Sequence, residues 1–283
     1  MKKNVIFSLI ILLIPVKIFT DSNVPAGYKF IKPILKPLND IKPSTPVNRC
    51  SLLPSNTATT PNWAGYVAST NVFNPTKGTV SFVQGTWKIP AIAAGQAKPG
   101  TFYAIWVGID GLNTNTIEQL GTAYQFTGGK QINYAWYEMF PKASMQIANF
   151  PVKPGDSITA SVQYLGKGVG QYKLMMLNNT RKIATVIPAA MTRSTTSPRA
   201  CCEWVVEAPS LCNPSCTVLP LAHFNPATFI GCKATIKGVK GAIRNPSYQN
   251  LQLNMANNNG TIKAVTTALN SAGNGFTTTW KHN

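Results

Sequence analysis

Acidic residues are what this chain most lacks: its 283 residues carry 8 Asp and Glu against 26 Lys and Arg, for a formal charge of +18. Beyond Asp40 the side-chain carboxylates are Asp110, Glu118, Glu138, Asp156, Glu203 and Glu207 alone. A protein that holds few ion-paired carboxylates loses little stability when acid protonates them, so tolerance of low pH is expected. Histidine is scarcer, with His223 and the penultimate His282. Serine and cysteine nucleophiles need a histidine to accept their proton, and no G-x-S-x-G turn accompanies His223. No cluster of histidines and carboxylates has metal-ligand spacing, so neither metal nor cofactor is expected. The paired D-[ST]-G turns of an aspartic dyad are missing as well. The basic residues are spread along the chain rather than gathered on one helix or interleaved with an aromatic motif, which argues against nucleic acid as a partner. They read as a solvated cationic surface, with attraction to anionic envelopes as a side effect.

Three regions can be drawn. Residues 1–20, "MKKNVIFSLIILLIPVKIFT", place Lys2 and Lys3 ahead of an apolar run and read as a signal peptide. Its core of roughly 12 residues is short of the ~20 that a spanning helix needs. Export follows, to the medium or a periplasm, with no membrane anchor once the signal is removed. Residues 21–61 are rich in proline and lysine without sustained periodicity and read as an extended linker or prosegment. From residue 62 to 283 the pattern becomes short runs of period two, rich in aromatic and β-branched residues and split by Gly, Pro and Asn. Helical spacing is nowhere sustained. Such runs predict an all-β fold, an antiparallel β-sandwich of two packed sheets in the manner of a concanavalin-like jelly roll. Six cysteines (Cys50, Cys201, Cys202, Cys212, Cys216, Cys232) in an exported chain predict disulfides, whose pairing the sequence leaves open.

Alternation assigns faces to the strands. In "YAIWVGID", Tyr103, Ile105, Val107 and Ile109 make a core face, while Ala104, Trp106, Gly108 and Asp110 suit the wall of a cleft. In "NYAWYEMF", Tyr134, Trp136, Glu138 and Phe140 align similarly. Glu203 and Glu207 share a strand face in "CCEWVVE", which raises a glycosidase reading. On a regular strand they stand ~13 Å apart, beyond the ~5 Å of a retaining pair. The residue between them, where β-sandwich glucanases carry an aspartate, is Val205. What remains is a chemistry that uses one carboxylate and a neutral partner.

The blocks "NWAGYV", "GTWKIP", "WVGIDG", "TIEQLG", "YAWYEMFP", "KPGDSI", "EWVVE" and "AHFNPATF" resemble, in order and approximate spacing, those of the glutamic peptidases, or eqolisins. The resemblance runs from about Asn62 to the C-terminus. It implies a secreted monomer that cleaves protein or peptide substrates in acid, insensitive to pepstatin, with Gln119 and Glu207 as the catalytic dyad. Trp63, Trp106, Asp110 and Glu138 match positions with which the family lines its cleft. A carboxylate of reference pKa ~4.3 can serve as base and then return the proton as acid, and an amide can orient water and stabilise an oxyanion at any pH. Leu120 stands where the family has threonine, the interval from "WVGIDG" to Gln119 is about one residue short, and His223 replaces an acid. Fungal members pair a basic propeptide with an acidic enzyme. Here both segments are basic, so any inhibition by residues 21–61 would need apolar contacts such as Tyr28, Phe30 and Ile34, or a disulfide to Cys50. A catalytically silent binding module of the same fold and a β-glucan glycosidase are the alternatives.

Overall fold

Strands form where the alternating runs predict them, and no α-helix occurs among the described residues. The computed structural model describes residues 24–38, 41–42, 51–53, 56–166, 170–188, 191–212 and 215–283. The expected signal peptide and Cys50 lie outside them. In chain order the strands are β1 (Lys29–Phe30), β2 (Leu35–Pro37), β3 (Ile41–Lys42), β4 (Ser51–Leu53), β5 (Thr57–Thr60), β6 (Trp63–Ser69), β7 (Val80–Lys88) and β8 (Phe102–Ile109). They continue with β9 (Ile117–Thr127), β10 (Lys130–Phe140), β11 (Met145–Ile147), β12 (Ser157–Gly166), β13 (Gln171–Asn178), β14 (Ile183–Val186) and β15 (Cys201–Glu207). The last are β16 (Ser210–Cys212), β17 (Cys216–Val218), β18 (Ala227–Ile236), β19 (Val239–Ala242), β20 (Gln249–Ala256), β21 (Ile262–Thr266) and β22 (Phe276–Trp280).

Pairing arranges these strands as a sandwich. One layer runs β5, β20, β6, β15, β8, β9, β10, β11, β2. The other runs β22, β18, β7, β12, β13, β14, β1, and β21 joins the two by pairing with both β20 and β22. All these pairs are antiparallel except β5 with β20 and β1 with β14. Between the layers lies the main core, to which the first layer gives Tyr66, Tyr103, Ile105, Val107, Trp204 and Val206, and the second Val83, Trp87, Ile158, Val162, Leu174 and Phe229. Two indoles tie the layers together, each donating its N–H across: Trp87 Nε1 to Thr122 Oγ1 at 3.0 Å and Trp204 Nε1 to the Gln84 carbonyl at 2.7 Å. An unpaired indole N–H at either place would cost about 1–3 kcal/mol, which these two bonds avoid.

The first layer is buried on both faces. Its outer face carries a second cluster containing Trp63, Val67, Ala104, Trp106, Ile117, Tyr134, Trp136, Val205 and Leu253. The alternation read from "YAIWVGID" and "NYAWYEMF" therefore holds, one face for each cluster. The region read as an extended linker or prosegment contributes β1 to β4 as edge strands and β5, which pairs with both β4 and β20. Its lack of periodicity reflects strands of two to four residues, too short for a pattern to show.

Two glycines let the first layer pack this closely. A Cβ on Gly121 would stand 2.1 Å from the Ile105 carbonyl oxygen and 2.6 Å from Trp106 Cβ. Gly65 takes φ +150°, which L side chains rarely adopt, and a Cβ there would stand 2.0 Å from the Trp204 carbonyl oxygen. Overpacking against backbone cannot be relieved by a rotamer change. Gly121→Ala and Gly65→Ala are each expected to lower unfolding free energy by at least about 2 kcal/mol, measured by urea denaturation.

Candidate active site

Strand register decides which side chains of the outer face meet. Glu138 pairs with Gln119, Gln119 with Gly108, and Gly108 with Glu203, which makes one row across β10, β9, β8 and β15. The next row contains Gly121, Trp106, Val205 and Gly65. In the third, Ala123 and Ala104 lead to Glu207 and then Trp63. Gly108 is needed between its neighbours, since a Cβ there would come within 3.0 Å of the Trp106 ring and 3.2 Å of Gln119 Cβ. The Trp106 row thus separates Gln119 from Glu207.

Glu207, at the end of β15, is fully buried. Its Oε2 accepts a hydrogen bond from Trp106 Nε1 at 2.7 Å and its Oε1 one from Asn62 Nδ2 at 3.1 Å. Trp63 packs edge-on to Trp106 with ring centroids 4.9 Å apart, an arrangement favoured by the ring quadrupoles. Gln119 is also fully buried. Its Nε2 donates to Glu138 Oε2 at 2.8 Å, and Ser144 Oγ donates to Glu138 Oε1 at 2.7 Å. The Gln119 carbonyl oxygen has no hydrogen-bond partner. The amide is therefore oriented, with its nitrogen toward Glu138 and its oxygen unengaged. No hydrogen bond joins Gln119 to Glu207 among the described residues.

Five of the six residues matched from the sequence, Gln119, Glu207, Trp63, Trp106 and Glu138, lie on this face. Asp110 is placed differently. Strand β8 ends at Ile109 and Asp110 takes φ +67°, so the alternation that put it beside Trp106 stops one residue early. Its carboxylate instead accepts the backbone N–H groups of Arg199 and Ala200 and the Ser197 hydroxyl, each at 2.7 Å. Asn62 and Ser144 went unrecognised in the sequence. Asn62 opens the "NWAGYV" block and could have been found there, whereas nothing local marks Ser144.

Ser197 Oγ also lies 2.7 Å from Glu118 Oε2. A hydroxyl has one proton to give, so with two carboxyl groups against it the second must itself carry a proton. Burial pushes the Glu118 carboxyl well above its ordinary range, and the Asp110 charge adds to this, against the hydroxyls of Ser197 and Ser194. Burial likewise raises Glu203, opposed by the Cys201 thiol and then reinforced by the Asp110 and Glu118 charges. Burial raises Asp110 as well, tempered by its hydrogen bonds to Ala200, Ser197 and Arg199. Every acidic side chain among the described residues is in fact buried: Asp110, Glu118, Glu138, Asp156, Glu203 and Glu207.

The cysteines do not form the network of bridges expected. Cys212 and Cys216 are bonded and close the hairpin of β16 and β17, while Cys201, Cys202 and Cys232 are free and buried. Cys201 and Cys202 are neighbours on a strand and so face opposite sides, one in each hydrophobic cluster. Burial pushes all three free thiols up, which keeps them protonated and unreactive.

These shifts set a pH window for stability. Carboxyls whose folded values are raised contribute stability that is complete below their unfolded values, 4.5 for Glu118 and Glu203 and 3.8 for Asp110, and is lost as pH rises. Asp156 runs the other way. Burial alone would raise it, but its 2.8 Å ion pair with Arg181 and hydrogen bonds from Asn178 and the Lys153 amide hold it below 3.8. Its contribution is present above 3.8 and lost as pH falls further. The melting temperature is expected to peak near pH 4 and fall toward pH 7, and Glu118→Gln, which mimics the protonated acid, to flatten that fall. Calorimetry across pH 3 to 7 checks both.

The sequence matches the family model described as the Peptidase A4 family over residues 61–280. It is 29% identical over 181 residues to scytalidopepsin B of Scytalidium lignicola, covering 62% of this chain and 64% of that protein. It is 24% identical over 195 residues to aspergillopepsin-2 of Aspergillus niger, covering 62% and 65%. The chain thus spans somewhat less than two thirds of the length of the curated relatives it matches. Among solved structures, scytalido-glutamic peptidase with a transition-state analogue inhibitor has the same fold at TM-score 0.63 and 21% identity, over 78% of this chain and 98% of that one. Aspergilloglutamic peptidase from Aspergillus niger matches at TM-score 0.51 and 22% identity, over 64% and 99%. With its ordered motifs, its sandwich and a family match that covers most of its length, the chain belongs to the Peptidase A4 family, the glutamic peptidases.

Proposed function

We propose that the protein is an exported endopeptidase active in acid, in which Glu207 and Gln119 hydrolyse peptide bonds without a cofactor. Glu207 takes a proton from the attacking water and returns it to the departing nitrogen. Gln119 orients that water through its carbonyl oxygen and offers its second N–H to the oxyanion. The observation that carries this reading is the state of Gln119: a fully buried amide whose nitrogen is engaged by Glu138 and whose oxygen has no partner. Such an acceptor, beside an amide nitrogen already fixed by Glu138, is placed to receive a hydrogen bond from a bound water. On a flat sheet the register separates Gln119 and Glu207 by roughly 13 Å along the strands and 10 Å across them. Two side chains reaching inward, with a water or a scissile amide between, fill such an interval. The Trp63, Trp106 and Trp136 surface supplies the apolar surroundings in which an oriented donor is worth most.

The chain is read further as a latent form, with residues 24–38 and 41–42 as the latch. Strand β2 adds to the edge strand β11, and the Leu38 amide donates to the Ser144 carbonyl at 3.0 Å, at the residue whose hydroxyl holds Glu138. Leu38 packs against the outer-face cluster. Strand β3 then pairs with β16, which follows directly on Glu207. The latch therefore bears on both ends of the candidate site. Of the apolar contacts expected from the sequence, Ile34 is 57% exposed, and Ile31 and Leu35 pack against the core in its stead.

The dyad is tested by casein or peptide digestion at pH 3 to 4 in pepstatin and EDTA. Glu207→Gln is expected to abolish cleavage and Gln119→Ala to reduce it ~10² to 10³-fold. Undiminished cleavage by both variants would sink the dyad. No cleavage by any form would favour the silent binding module, and release of sugar from laminarin would favour the glycosidase. For the latch, Leu38→Glu is expected to make the full chain active without a lag that wild type shows on acidification; equal lags would refute it.

A further inference from the structure

We propose that Asn62 is a positioning residue for Glu207: its side-chain amide and the Trp106 indole form a two-donor clamp that orients the carboxylate and favours its ionised form in acid. The inference rests on Glu207 being the catalytic base and adds a residue that the dyad does not include.

Each carboxylate oxygen of Glu207 has a donor. Asn62 is buried, 3% exposed, and its Nδ2 reaches Glu207 Oε1 while Trp106 Nε1 reaches Oε2. The Asn62 backbone is tied to the same spot, because its carbonyl accepts the Ala208 N–H at 2.9 Å, one residue past Glu207. The turn that presents Asn62 is pinned by Thr60, whose Oγ1 accepts from the Trp63 N–H and donates to the Trp63 carbonyl, both at 2.8 Å. Trp63 then packs against Trp106. The two donors are thus linked to each other, Asn62 through its peptide bond to Trp63 and Trp106 through the ring contact.

The residue type matters. An amide and an indole carry no titratable group in the acid range, so the clamp keeps its form at any working pH. Both act only as N–H donors toward the carboxylate, and donors favour the charged form over the protonated one. A basic side chain in place of Asn62 would pair with Glu207 too strongly for it to accept a proton and pass it on. An acid would compete with it for one. Oriented neutral donors are what a base needs if it is to remain ionised in acid and still take up a proton in the reaction.

The test is the pH dependence of kcat/KM for Asn62→Ala and the isosteric Asn62→Asp, with kcat and KM resolved separately and melting temperature recorded at each pH. The acid limb, which reports ionisation of the base, is expected to move up by about one pH unit in Asn62→Ala. It should move at least as far in Asn62→Asp, where a second carboxyl shares the site. KM should be unchanged, and kcat above the limb should fall, through lost orientation, by less than in Glu207→Gln. A uniform loss of rate with the limb unmoved, or a fall in melting temperature alone, would overturn the proposal and leave Asn62 a brace for its turn. If Asn62→Ala does not fold, the isosteric Asn62→Asp carries the test. Glu207→Gln is measured alongside: should it remain active, the dyad itself fails, whereas an inactive Glu207→Gln with an unmoved limb in the Asn62 variants rejects the clamp alone.

Discussion

The hydrogen bond of 2.7 Å from Trp106 Nε1 to Glu207 Oε2 is the contact on which the rest of this face depends. It requires a tryptophan to be held in place on a sheet that is buried on both sides, and the surrounding sequence is shaped to permit that. Gly121 opposite Trp106 leaves the strand-to-strand space that its side chain fills, Gly108 keeps the ring clear of Gln119, and Trp63 closes on its edge. Replacing any of these would shift an indole whose N–H fixes a carboxylate. Packing and chemistry here are one set of constraints, because a side chain held by close contacts cannot be moved without moving what it binds.

The same economy governs charge. The chain has few acids, and the described ones are all inside, while the described lysines and arginines lie at least partly exposed apart from the buried Lys263. Burying a carboxylate in water-free surroundings is costly unless it is protonated or well supplied with donors. The fold uses both solutions. Glu207 and Asp156 have donors, whereas Glu118 shares one hydroxyl with Asp110 and is pushed by burial toward its protonated form. Under the proposed function, the acid medium that suits hydrolysis by a glutamate is also one in which this interior is comfortable, so that working pH and stability are coupled through the same residue type.

Much of this was legible in advance. Period-two alternation gave the strands and their faces, as Tyr103, Ile105, Val107 and Ile109 against Ala104, Trp106 and Gly108 illustrate. The order of motifs led to the family, and scarcity of histidine removed most competing chemistries. Other features were not visible. The short strands β1 to β5 carry no period because an edge strand of a few residues is held by backbone hydrogen bonds that any side chain permits. Adjacent Cys201 and Cys202 suggested a bridge, but neighbouring residues on one strand enter different cores. Asp110 looked like part of the cleft until a single residue with positive φ turned it toward Ser197 and Arg199.

The sequence by itself determined the fold class and the family, because periodicity and the order of motifs are properties of the chain itself. Tertiary structure alone decided the partners: that Glu138 faces Gln119, that Asn62 and Trp106 share Glu207, and that Ser197 sits between two acids. Register between paired strands sets Glu138 against Gln119 and Trp106 beside Glu207, whereas Asn62, Asp110 and Ser197 lie outside the strands and are placed by the segments that lead into and out of them. A register shifted by one residue turns every side chain of a strand to the other face, and no local pattern within either strand records which register the packed sandwich selects.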